Sequence, residues 1–144
     1  DWSRVMRINL DGAFYACRAA APYLKKSGKN GRIINLSSQA ALNGTAHGVH
    51  YGASKAALLG LTYCLAKELG PDGITVNAIL PGRIDTEMLA YATPERRAQW
   101  LQSTPLGRFG DTADIAELAV FLASDKGGYI TGAKINVNGG LSTG

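Results

Sequence analysis

A chain of 144 residues, 46% apolar and 18% charged, holds enough material for one globular core and too little for two. Its formal charge of +4 comes from scattered basic residues, among them Arg4, Arg7, Lys25, Lys26, Arg96, Arg97 and Lys134, so nucleic acid is not an expected partner. No secretory leader and no apolar run of membrane-spanning length is legible, so neither export nor a membrane span is expected.

In chain order, residues 1–24 read as a helix with an apolar stripe at Val5, Ile8, Ala13, Ala16 and Ala20, weak at Gly12 and stopped by Gly28. Asn9 stands out inside it, because asparagine is a mediocre helix former that can divert a backbone bond. Arg32–Leu36 is a short apolar run fitting a strand buried on both faces. Tyr51–Leu69 follows as a helix with Leu58, Leu61, Leu65 and Leu69 as its core stripe and Ala53, Ala56, Ala57 and Gly60 on its flank. Ile74–Leu80 is a second buried strand, closed by Pro81 and Gly82. Strand, helix and strand in this order make a βαβ unit with parallel pairing.

Ile84–Thr104 is amphipathic and interrupted by Pro94 and Pro105, with Met88, Leu89, Tyr91, Trp100 and Leu101 as apolar points. Its place after a strand's carboxyl end suits a lid or an ordinary packed helical hairpin equally. Asp111 or Thr112 caps a helix through Ala123 that turns Ile115, Leu118, Ala119 and Leu122 inward, and Lys134–Val137 is a third strand. Cys17 and Cys64 form no metal-ligand spacing; the expectation is two buried free thiols in a reducing cytoplasm, and no metal site.

The chemistry gathers between Ile33 and Lys55. Tyr51 and Lys55 are four apart on a helix, one turn from each other on one face. Ser37 and Ser38 lie just past a strand's carboxyl end, where ligands collect in open α/β sheets. A phenol ionises near pH ~10 and is a poor base at neutral pH, but an ammonium one turn away favours the phenolate. A phenol, an ammonium and a hydroxyl together would make a proton-transfer site. His47 and His50 flank the loop before Tyr51; either could touch substrate, and solvent-facing loop histidines are the favoured reading.

INLSS, YGASK thirteen residues after Ser38, RINLDGAF upstream and PGRIDTEM downstream together resemble the short-chain dehydrogenase/reductase family over the whole chain, but only over the second half of that family's domain. The resemblance implies an α/β fold, the C-terminal half of a Rossmann-type doubly wound parallel sheet, with about three strands and flanking helices. It implies Asn9, Ser38, Tyr51 and Lys55 as the catalytic group. Tyr51 would exchange the proton as hydride moves to or from a nicotinamide ring. Ser38 would hold the carbonyl or alkoxide oxygen, and Lys55 the nicotinamide ribose. Asn9 would anchor a water that relays protons. It further implies that Pro81 and Gly82 let the backbone near the ring, that the main chain of Ile84 meets the carboxamide, and that Thr86 bonds the carboxamide or a phosphate. The cofactor would be NADP or NAD.

The glycine-rich turn that cradles pyrophosphate in that family has no counterpart here, so the chain reads as the C-terminal part of a single Rossmann-type domain whose dinucleotide-binding half is absent. Such a remnant would leave a sheet edge and helix faces uncovered. ELGPDGITVNAILPGRIDTEM and VNGGLSTG look most like 3-oxoacyl-[acyl-carrier-protein] reductases, giving a small-molecule or acyl-carrier substrate; sugar and polyol dehydrogenases share those features. A homodimer or homotetramer is implied. The alternative of another kind is a non-catalytic module that only assembles, packing the small-residue face of the Tyr51 helix against a second subunit.

Overall fold

In the computed structural model, residues 1–28 and 30–143 are described, apart from the side chains of Met88 and Ala90. The chain opens on one helical run: α1 (Trp2–Met6), a π-turn over Arg7–Asp11, and α2 (Gly12–Lys25). The Gly12 N–H donates to the Arg7 carbonyl five residues back, so the helix is wider here by one residue. Its inward face therefore steps by about four residues, through Val5, Asn9, Ala13, Cys17, Ala21 and Leu24. Ile8, expected in the apolar stripe, is instead 64% exposed, and Ala16 is exposed as well. Gly28 ends the run in the left-handed region, at φ +67.

β1 (Arg32–Leu36) comes next, then a short α3 (Ala40–Asn43), the long α4 (Val49–Leu69) and β2 (Thr75–Pro81). The hairpin of α5 (Glu87–Ala90) and α6 (Pro94–Gln102) precedes α7 (Thr112–Ala123), and β3 (Lys134–Val137) completes the sheet. The strands lie in the order β1-β2-β3, all parallel, with Arg32 opposite Thr75 and Ala78 opposite Lys134. This is the α/β, three-strand arrangement the motifs imply.

β2 is central and buried from Thr75 to Leu80. Residues two apart on a strand share a face, so Val76, Ala78 and Leu80 point to the same side of β2. Along that face Val76 packs with Ile33, Cys17, Ala66 and Leu69, and further on Ala78 and Leu80 pack with Leu59 and, behind it, Ala41 and Leu42. α7 lies on β1 and β2 and buries Leu122. Its cap is Asp111, which accepts from Ala113 N–H while Asp114 accepts from Asp111 N–H.

The core stripe of α4 differs from the leucine stripe expected. Ser54, Leu58, Thr62, Ala66 and Leu69 are buried, and Leu61 and Leu65 are only half-buried at its side. Thr62 is tolerated there because it is fully satisfied: its hydroxyl donates to the Leu58 carbonyl (2.8 Å) and accepts from Asn35 Nδ2 on β1 (2.9 Å). Cys17 is buried, which pushes its thiol pKa up, but Cys64 is exposed on the outer side of α4. The expectation of two buried thiols holds for Cys17 alone.

Residues 84–104 form a packed hairpin pinned by arginines. Arg83 donates to the Trp100 carbonyl (3.1 Å) and to Ser103 Oγ (2.8 Å), and Arg97 to the Leu89 carbonyl and the Asp85 carboxylate (3.1 Å each). Among the described residues no strand pairs with the outer edge of β1. Beside that edge, an apolar hollow of about 440 Å³ lies between Ile34 and Leu36 on β1 and Ile115, Ala116 and Ala119 on α7. Leu36 is 52% exposed in it. Among the described residues, no helix is long and apolar enough to cross a membrane.

Candidate active site

The ladder of β1 continues past the strand. Ser37 N–H donates to the Ile79 carbonyl (2.9 Å) and Gln39 N–H to the Pro81 carbonyl (3.1 Å), which holds the two serines at the carboxyl end of the sheet. Ser38 is buried, and its Oγ accepts from Ala40 N–H (3.1 Å), starting α3. That bond uses a lone pair only. The Ser38 O–H has no acceptor among the described residues and remains a donor. α3 lies directly on the first turn of α4: a Cβ at Gly52 would stand 3.5 Å from the Ala40 carbonyl. Ser38 is thus set beside the helix that carries Tyr51.

Tyr51 and Lys55 occupy one face of α4, with Lys55 Nζ 5.8 Å from the centre of the Tyr51 ring. Two reciprocal bonds fix the lysine. Its Nζ donates to the Leu36 carbonyl (2.8 Å), and Ser37 Oγ donates to the Lys55 carbonyl (2.8 Å). Partial burial pushes the Lys55 pKa below the ordinary lysine value. In that reduced dielectric, the ammonium acts more strongly on negative charge developing at a neighbouring phenol oxygen than it would in water. The Tyr51 ring is 38% exposed, open to an incoming ligand.

Asn9 sits inside the π-turn and faces inward. Its Nδ2 donates to Ser54 Oγ (3.0 Å), and Ser54 Oγ donates in turn to the Tyr51 carbonyl (2.8 Å). The opening helix is thereby bonded to the turn of α4 that bears Tyr51 and Lys55. Asn9, Ser38, Tyr51 and Lys55 are brought to one end of the sheet by β1, α4 and the first helical run.

The loop after β2 leaves between its neighbours. Gly82 N–H donates to the Val137 carbonyl (2.9 Å), and a Cβ at Gly82 would lie 2.6 Å from Asn138 Cα. The glycine therefore has a packing reason in this chain, the close approach of the segment after β3. Gly110 then clamps the loop: its N–H donates to the Arg83 carbonyl (2.9 Å), and its carbonyl accepts from Asp85 N–H (2.8 Å). In a parallel bridge of this kind the N–H and C=O of Ile84 itself point away from Gly110. Thr86 is exposed, and its hydroxyl makes only a long contact to the Ile84 carbonyl (3.4 Å).

His47 is exposed, with a left-handed backbone at φ 58. His50 is half-buried, and its Nδ1 accepts from Tyr51 N–H (2.7 Å). The sequence reasoning singled out neither Ser37 nor Ser54 as a positioning group. The first stands next to the expected serine in INLSS, and the second interrupts an alanine-rich helix flank; those were the available signals.

The family described as Enoyl-(Acyl carrier protein) reductase matches residues 1–142. The chain is 44% identical to the (3R)-3-hydroxyacyl-CoA dehydrogenase of Rattus norvegicus over 98% of its own length and 54% of the relative's. It is 48% identical to the L-rhamnose-1-dehydrogenase of Scheffersomyces stipitis, over 96% of the chain and 54% of that protein. A solved 3-oxoacyl-[acyl-carrier protein] reductase from Brucella melitensis superimposes with a TM-score of 0.92 at 40% identity, covering 99% of this chain and 53% of that one. The chain spans about half the length of the curated relatives it matches.

Proposed function

The chain belongs to the short-chain dehydrogenase/reductase family, and we propose that the protein carrying it is an NAD(P)-dependent oxidoreductase acting on a secondary alcohol or its ketone. The observation that carries this reading is the Tyr51–Lys55 pair held by the reciprocal bonds of Lys55 to Leu36 and of Ser37 to Lys55. The chain is read as the C-terminal part of one Rossmann-type domain; the open edge of β1 and the apolar hollow beside it support a preceding half packed there.

The donor set suits a nicotinamide nucleotide. Lys55 uses one of its three N–H groups on Leu36, which leaves two for a pair of ribose hydroxyls. The outward main chain of Ile84 suits a carboxamide, and the exposed Thr86 hydroxyl, in only a long contact to the Ile84 carbonyl, can turn to bond it or a phosphate. When bound, the nucleotide supplies or accepts the hydride. For ketone reduction, Ser38 O–H donates to the carbonyl oxygen, where negative charge develops. Tyr51 gives its proton to that oxygen, and the ammonium of Lys55 stabilises the phenolate left behind. Asn9, through a water, returns a proton from solvent. Oxidation of the alcohol runs these steps in reverse.

The substrate reading is a 3-oxoacyl or 3-hydroxyacyl thioester, supported by the rat and Brucella relatives. The L-rhamnose relative, at 48% identity, favours a second reading, a sugar or polyol. Assays of the full-length protein separate the two: NADH or NADPH consumption with acetoacetyl-CoA against NAD(P)⁺ reduction with L-rhamnose. Turnover with neither substrate class, in a folded protein that binds neither nucleotide, would overturn the oxidoreductase reading in favour of a non-catalytic assembly module. A homodimer or homotetramer in the cytoplasm completes the proposal, supported by the exposed Phe14, Tyr15 and Tyr23 on α2.

A further inference from the structure

Ser54 is fully buried, at 0% exposure, in the second turn of α4. A serine inside a helix ordinarily bonds back to a carbonyl of the preceding turn, and this one does so at Tyr51 (2.8 Å). The same oxygen also accepts from Asn9 Nδ2 (3.0 Å), a residue 45 positions away. Asn9 lies in the one π-turn found among the described residues, and such widened turns occur often at functional sites. Alanine, present at positions 53, 56 and 57, is the better helix former, so helix formation alone gives no reason for a buried hydroxyl at 54.

We propose that Ser54 is a positioning residue: its hydroxyl ties the Asn9 turn to the Tyr51 carbonyl and so sets the register of the proton-relay turn against the proton donor. This rests on the oxidoreductase reading above. The directions of donation are consistent with that role. Ser54 gives its single O–H to Tyr51 and keeps its lone pairs for the Asn9 amide, so both partners are held through one atom. Small misplacements of groups that act together are expensive in rate; about 1 Å can cost on the order of 100-fold.

The test uses the full-length protein with Ser54→Ala, Asn9→Ala and the double variant, and adds Ser54→Cys, which fills the same space with a weak hydrogen-bonding atom. The expected results for Ser54→Ala are a fall in kcat of about tenfold or more, a nucleotide KM within about twofold of wild type, and a larger solvent deuterium isotope effect on kcat. The double variant is expected to be no slower than the slower single variant, because both changes remove one unit. Should Ser54→Ala fail to fold, the cysteine variant carries the test with the same readouts. A kcat within about twofold of wild type, an unchanged isotope effect, or rate losses that multiply in the double variant would each overturn the proposal. Tyr51→Phe run alongside separates the two levels: if it retains turnover, the oxidoreductase reading fails; if it is inactive while Ser54→Ala is unaffected, only the role of Ser54 fails.

Discussion

Replacing Gly82 by alanine tests whether the loop beside the candidate site is held by close backbone packing. The added Cβ would stand 2.6 Å from Asn138 Cα, 2.7 Å from its Cβ and 3.0 Å from its carbonyl oxygen, where ordinary contact begins at 3.4 Å. Two of these obstacles are main-chain atoms, and the Asn138 side chain is itself tied to the Ser142 carbonyl (3.1 Å) and to Gly140 N–H (3.0 Å). Nothing flexible is available to yield, so the cost falls toward the upper end of the about 1–3 kcal/mol typical of overpacking. The strain should also move the loop that presents Ile84 and Thr86, raising the nucleotide KM. Urea denaturation of the full-length protein gives the first quantity and initial-rate kinetics the second. Gly60→Ala is the matched comparison: it sits inside α4, is exposed, and a Cβ there meets nothing within 4 Å. It should gain about 0.5–1 kcal/mol from helix propensity. A Gly82→Ala protein within about 0.5 kcal/mol of wild type, with an unchanged KM, would refute the close-packing argument.

Tyr51→Phe keeps the ring and removes the proton, so turnover should fall by about 100- to 10,000-fold while nucleotide binding, followed by fluorescence titration, stays close to wild type. Thr62→Val leaves the buried Asn35 amide without its acceptor and should cost about 1–3 kcal/mol in denaturant unfolding. Asp114 is held to a pKa of about 2 by its bonds from Arg108 and from Asp111 N–H. Its folded value lies below the unfolded one, so the stabilisation is present above about pH 4 and lost as pH falls toward 2. Asp114→Asn should accordingly flatten the pH dependence of stability in that window, as measured by thermal unfolding across it.

The features legible in the sequence were those that depend on local spacing. Tyr51 and Lys55 share a face because four residues make about one helical turn. The serines end a strand because the apolar run stops there, and the three parallel strands follow from alternating runs of the right lengths. Bonds between distant parts of the chain carry no such signature. Ser37 meets the Lys55 carbonyl across 18 residues and Asn9 meets Ser54 across 45, while Gly82 is fixed by Asn138 on another strand's exit. Thr62 displaced Leu61 from the centre of the α4 stripe for the same reason, since its partner Asn35 belongs to β1.

The inward Asn9 has a cause in the π-turn. An α-helix turns by about 100° per residue, and the expected stripe assumed that angle without interruption. The π-turn adds one residue to a turn, so the positions within it are rotated relative to the helix that follows. Had the run stayed regular, the face continuing from Cys17 and Ala21 would have reached position 10 or so and left Asn9 off the line toward Ser54. The widened turn instead brings the Asn9 amide to 3.0 Å from Ser54, while Ile8, about 180° from Cys17 on a regular helix, stays outward at 64% exposure. A polar side chain turned inward by an irregular helical turn breaks a local rule, and a break of this kind points to function rather than to packing.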